Sequence, residues 1–343
     1  MRSHFCSLIL FCLLTGALSS CTNKPNSDES EKVQSLDTMD SENKLQALNN
    51  MIANSPDDAK AYYERALIFI QKNILQQAFK DLSMATILDS TNPDYFLMLA
   101  DVSFRGLQIQ QSVKAFEKCL NLDPENIEAN LKLSELYMYL KAYPKAIEYA
   151  NEALRIDSRR SKAYFIKGFV YKESGDTNRA ISSFTTVTEL DPQNYDAYIQ
   201  LGILYAAKDN DLALQYYTNA LRVRPASEEA LYNRGLYYQE SGLLEKAEED
   251  YKAIIAKNSN YADAYYNLGF IALVNKKDYP EAIKQFSAAL KADQNYVEAF
   301  YNRGLAYEYS GDKDAAIKDY RSALSIFPTY ALAKERLSGL GSF

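Results

Sequence analysis

The sequence predicts an all-α solenoid, a chain of paired helices stacked in repeats. Three observations predict it. One phrase occurs three times, as YNRGLYYQESG at Tyr232–Gly242, YNLGFIA from Tyr266, and YNRGLAYEYSG at Tyr301–Gly311. Its small residue recurs at Ala66, Ala100, Ser134, Gly168, Gly202, Gly235, Gly269 and Gly304, at strides of 33 to 35 residues. Self-similarity at such a period marks a repeat array. Inside each unit apolar residues fall three or four apart, as at Leu268, Ile271 and Ala272, then Ala282, Ile283 and Phe286. That is the spacing of amphipathic helices, not the strand period of two. With 47% hydrophobic residues and few glycines and prolines, the chain has material for a core and little for collagen-like or many-stranded β structure.

The elements follow in order. Residues 1–20 form a leader: Arg2 gives a positive start, and Phe5 to Ala17 is a mostly apolar run. It is too short to span a bilayer and fits the hydrophobic region of a signal peptide. The run ends in L-S-S-C, Leu18 to Cys21, which resembles the lipobox of bacterial lipoproteins. The resemblance implies removal of the leader and acylation of Cys21; the alternative is an ordinary signal peptide followed by an unrelated cysteine. Cys6 and Cys12 fall in the leader, leaving Cys119 as the only other cysteine. An exported chain with one spare thiol has no internal disulfide framework.

Residues 21–42 read as a flexible acidic tether, rich in Ser, Asp, Asn and Glu with almost nothing apolar to bury. Residues 43–58 follow as an N-terminal helix docking through Leu45, Leu48, Met51 and Ile52. Residues 59–328 hold eight repeats. Residues 329–343 close the array with a capping helix, its YALAKERL at Tyr330–Leu337 able to turn charge to water.

Helix packing explains the stride. Two antiparallel helices approach closely only where neither carries a large side chain, so the first small residue should meet the one about twelve later, as Gly235 with Ala247 or Gly304 with Ala316. The S-G-D of Ser174–Asp176 and Ser310–Asp312 supplies a left-handed glycine to stop the first helix. The L-D-P of Leu122–Pro124 and Leu190–Pro192 ends the second helix.

An aromatic, a Leu-Gly pair, a tyrosine, then Ala, Phe and Pro at these offsets resemble the tetratricopeptide repeat, most closely in repeats seven and eight. The resemblance implies a right-handed superhelix of about one turn, with first helices lining a concave groove. Groove candidates are then Tyr232 with Asn233, Tyr266 with Asn267, and Tyr301 with Asn302, joined by Phe270 and, further back, Phe165. The asparagine column resembles the ladder of the glycosyltransferase superhelices that grip extended peptides; it is also the commonest wording of the repeat. A carboxamide offers donor and acceptor to any peptide backbone, and flanking tyrosines add flat contact at low entropic cost. Acidic residues follow each first-helix start, among them Asp196, Glu229, Asp263 and Glu298. They either favour basic segments or answer the helix dipole, the simpler reading. The basic clamp by which related repeats hold chaperone C-termini has no counterpart here: its positions carry pairs such as Tyr63/Leu67 and Phe165/Phe169.

Catalysis is disfavoured by inventory. The single histidine, His4, lies in the leader, which removes histidine bases, triads and nearly all zinc sites. Cys119 stands in a slot held elsewhere by Ala85, Ala153, Ala220, Ala289 and Ala323, so it reads as a buried packer. No phosphate loop occurs, and no cofactor or metal is implied. A net charge of −7 disfavours nucleic acid. The sequence therefore reads as a non-enzymatic scaffold in the cell envelope, outer membrane by resemblance because Thr22 follows the cysteine. It would be held to the membrane through Cys21 and bind a protein or peptide in its groove. The alternatives are a self-assembling envelope protein and a binder of cell-wall carbohydrate.

Overall fold

The computed structural model describes residues 40–341. The leader, Cys21 and most of the tether lie outside the described residues. Those described form helices and no strand, in two compact units, one ending at Leu122 and one beginning at Asp123.

The first unit opens with α1 (Ser41–Asn54), which starts just before the expected residue 43 because Asp40 caps it, accepting from the amides of Glu42 and Asn43. Two helix pairs follow: α2 (Ala59–Gln71) with α3 (Leu75–Leu88), and α4 (Pro93–Arg105) with α5 (Ile109–Leu122). Leu48 of α1 is fully buried against Ala61 and Ile68, with Leu45, Met51 and Ile52 around it.

The second unit stacks six pairs. They are α6 (Ile127–Tyr139) with α7 (Tyr143–Ile156), α8 (Ser161–Glu173) with α9 (Thr177–Leu190), and α10 (Tyr195–Ala206) with α11 (Leu212–Val223). Then come α12 (Glu228–Glu240) with α13 (Leu244–Lys257), α14 (Ala262–Phe270) with α15 (Tyr279–Ala292), and α16 (Val297–Ser310) with α17 (Lys313–Ile326). A last helix, α18 (Ala331–Gly339), packs on α17 through Ala333 and Leu337. Between α14 and α15 the chain makes one π-helical turn, Ile271–Lys276.

The repeats share recurring punctuation. Asn126, Asp176, Asn194, Ser227 and Asp312 accept amide hydrogen bonds at helix N-termini, which satisfies donors that would otherwise be orphaned. Asp89, Asp123, Asp157, Asp191 and Asp293 accept from the amide two residues on, fixing the turn into the next repeat. The expected glycines are left-handed: φ is +77° at Gly175, +75° at Gly242 and +93° at Gly311.

In the other five repeats the same left-handed turn falls on Asn73, Leu107, Lys141, Asp209 and Lys277. Leu107 is the costliest, a branched side chain held at φ 58° and 82% exposed, so nothing offsets the strain. Leu107→Gly is expected to raise stability by about 0.5–1 kcal/mol, read as a shifted urea midpoint.

The crossing of each pair has two layers. Small residues twelve apart do meet: Ser112 Oγ donates to the Ala100 carbonyl at 2.9 Å and Ser134 Oγ to the Ala146 carbonyl at 2.7 Å. The glycine serves a larger neighbour that the twelve-residue rule did not anticipate. A Cβ on Gly168 would sit 2.8 Å from the Phe184 ring, on Gly202 2.4 Å from Tyr217, and on Gly269 2.8 Å from Phe286. The second-helix aromatic lies over the bare backbone of the first helix, and the glycine exists to admit it.

Candidate functional site

In the second unit two pairs of successive first helices lie side by side. Helix α6 touches α8, and α10 touches α12, directly. All the groove candidates sit on first helices: Phe165 on α8, Tyr232 and Asn233 on α12, Tyr266, Asn267 and Phe270 on α14, Tyr301 and Asn302 on α16.

Each tyrosine of the repeated phrase lies between two rings. Tyr232 has Tyr251 at 6.2 Å and Tyr261 at 5.7 Å. Tyr266 has Phe286 at 5.6 Å and stacks on Tyr296 at 4.9 Å. Tyr301 has Tyr320 at 5.7 Å and Tyr330 edge-on at 5.5 Å. The outer ring in each triplet opens the following repeat or the capping helix, so the ladder also joins neighbours. Phe165 packs against Phe169 and Phe184, and Phe270 lies 6.4 Å from Tyr266. These rings are half-buried rather than free.

The asparagine column is not uniform. Asn233 is half-buried. Asn302 is 8% exposed and donates its Nδ2 to the Tyr266 hydroxyl at 2.8 Å. Asn267 is 7% exposed, and its Nδ2 has no hydrogen-bond acceptor. Burial, then the Asp263 charge, raises the Tyr232 phenol; the Asn267 amide approaches its hydroxyl and opposes that rise, but closes no bond. A buried, unmatched amide is costly, of order 1–3 kcal/mol. The surrounding phenols are held neutral: burial first, with neighbouring phenols and carboxylates adding to it, pushes Tyr261 and Tyr330 up to about 12. Burial and the Glu298 charge raise Tyr266 as well.

A row of carboxylates runs along the starts of these helices. Asp196, Glu229 and Glu298 are exposed and Asp263 is half-buried. Tyr195 donates its hydroxyl to Glu229 Oε2 at 2.9 Å, and Tyr296 donates to Asp263 Oδ1 at 2.8 Å. In repeat four the same place holds Lys162, which pairs with Glu135 at 2.8 Å and ends the row.

Sequence reasoning missed a second regularity. Arg65, Arg234 and Arg303 each fork onto an aspartate sixteen residues on, Asp81, Asp250 and Asp319, with both bonds between 2.7 and 2.8 Å. The signal was present as a recurring R-to-D spacing, but sixteen is no helix period and only the crossing brings the pair together. Cys119 is fully buried, as its alanine slot predicts. Among the described residues no three His, Cys, Asp or Glu side chains gather to hold a metal, and no helix is long and apolar enough to cross a membrane.

Comparison with known proteins adds to this geometry. The tetratricopeptide-repeat description matches residues 203–262 and 297–330, a further TPR repeat matches 272–311, and the TT21 fifth ARM repeats domain matches 94–201. BBSome complex member BBS4 of Bos taurus is 25% identical over 224 residues, covering 65% of this chain and 43% of that protein. Tetratricopeptide repeat protein 6 of Homo sapiens is 25% identical over 280 residues, 70% of this chain and 54% of its own length. The chain thus spans about half the length of these curated relatives. The crystal structure of PilW, a widely conserved type IV pilus biogenesis factor, shares the fold at TM-score 0.51 and 18% identity, over 63% of this chain and 99% of that one. Eight helix pairs recur at a near-constant stride, and over residues 203–262, 272–311 and 297–330 the chain matches the tetratricopeptide repeat.

Proposed function

We propose that this protein is a non-enzymatic scaffold that holds an extended peptide segment or partner helix against the first helices of repeats five to eight. It would be anchored in the cell envelope by a lipid on Cys21. One observation carries the binding reading. The first helices present half-buried tyrosines beside a buried amide donor, Asn267 Nδ2, that the protein's own groups leave without an acceptor. Peptide carbonyls supply such acceptors, and rings with few rotatable bonds lose little entropy on contact. The anchor reading rests on the leader and on the L-S-S-C at Leu18–Cys21.

Photo-crosslinking in the native cell tests the binding face. A benzophenone residue at Asn233 or Glu298 is expected to trap a partner, while one at Arg222, exposed on the second helix α11, is not. Equal trapping at all three positions refutes the assignment. In the same cells, Cys21→Ala should shift the protein from the membrane to the soluble fraction.

A further inference from the structure

The carboxylate row lines up acids that no cation of this unit answers. Three acids of the second helices find cations: Glu152 with Arg155 at 2.8 Å, Glu281 with Lys284 at 3.0 Å, and Glu248 with both Lys252 and Lys276. Among the described residues Asp196, Glu229, Asp263 and Glu298 have no ion pair. Even Arg224, close by, lies over the Tyr195 ring at 4.0 Å instead of on Glu229. The helix dipole accounts for acid at a helix start but not for the missing cations.

A second observation stands on the same face. Asn267 follows Asp263 by four residues on α14, so both project the same way. Its partnerless Nδ2 is directed as Asn302 is, toward the preceding first helix. A line of unpaired anions thus runs beside a donor that lacks a carbonyl.

Building on the scaffold reading above, we propose that the row selects a basic extended segment. Lysine or arginine side chains would meet Asp196, Glu229, Asp263 and Glu298 in turn, and a backbone carbonyl would accept from Asn267. Spacing agrees. Packed helices, as α10 and α12 are, lie about 8–10 Å apart, and an extended polyproline-like chain returns to one face every third residue, about 9 Å on. The favoured segment therefore carries a basic residue at about every third position. Tyrosine faces between the carboxylates suit guanidinium groups further.

The test is to pan a random twelve-residue peptide display library against the full chain, then titrate a selected peptide, fluorescein-labelled, by anisotropy. Selected peptides are expected to be enriched in Lys and Arg at roughly three-residue spacing. Their Kd should rise with added salt and rise about tenfold or more in the D196N/E229Q/D263N/E298Q variant. Asn267→Leu should also weaken binding while keeping the salt dependence. Circular dichroism melts check that both variants fold, and the salt response of the unaltered chain stands whether or not they do. Selected peptides with no basic bias, or with unchanged affinity for the quadruple variant, overturn this proposal and leave the scaffold reading intact. Failure to retain any peptide counts against both.

Discussion

Replacing Phe286 by alanine is expected to cost about 3–5 kcal/mol, the usual range for truncating a fully buried aromatic. The ring is 0% exposed, lies over Gly269 and supports Tyr266 at 5.6 Å. Because Gly269 carries no side chain, neither helix can fill the hole. In an array whose units contact only their neighbours, the loss should stay local. Repeats seven and eight and the capping helix should melt ahead of the rest, seen as a split urea transition by circular dichroism. Gly269→Leu alone should also destabilise, since its Cβ would meet the ring at 2.8 Å. Combined with Phe286→Ala it should recover part of the loss, a coupling that a double-mutant cycle measures. Purely additive losses would refute the ring-over-glycine account.

The second large effect concerns Arg234 and Asp250. Asp250 is 4% exposed and receives two bonds from the guanidinium, at 2.7 and 2.8 Å. Arg234→Ala leaves that carboxylate buried and unmatched, at a cost of about 3–4 kcal/mol at neutral pH. Asp250→Ala should cost less, about 2 kcal/mol, because the arginine is partly exposed and still reaches Thr218 Oγ1 at 3.3 Å. The sign with pH separates the two. In Arg234→Ala the stranded carboxylate favours its protonated form in the folded state, above its unfolded value. Its neutral form is then bound more tightly by the fold, so stability recovers as pH falls and is lost as pH rises. Asp250→Ala has no such recovery. Urea midpoints at two acidic and two neutral pH values decide it.

Much of the fold was legible because its determinants are local. The left-handed turn at Gly175 and Gly311 and the small residues twelve apart depend on a few neighbouring residues within one repeat. What stayed hidden lies across helices or across repeats. Nothing in Y-N-R-G tells that Asn302 turns back to Tyr266 while Asn267 ends short of Tyr232, since that depends on the rotation between successive units. The forked arginines were written in the spacing of Arg234 to Asp250 and Arg303 to Asp319 but belong to no single-helix period. The acid row was legible as residues. Its lack of counter-ions is a property of the packed surface alone.

One turn of backbone has a wider consequence. Repeat seven is a residue longer than its neighbours, from Gly269 to Gly304. There the chain winds wider over Ile271–Lys276, and the Asp278 amide reaches back to the Ala272 carbonyl at 2.8 Å. The surplus residue is swallowed inside a single coil, so the next unit begins in phase and Glu298 keeps step with Asp263. A lattice that heals its own insertions can drift in length over generations while a ruler laid along it still reads the same marks.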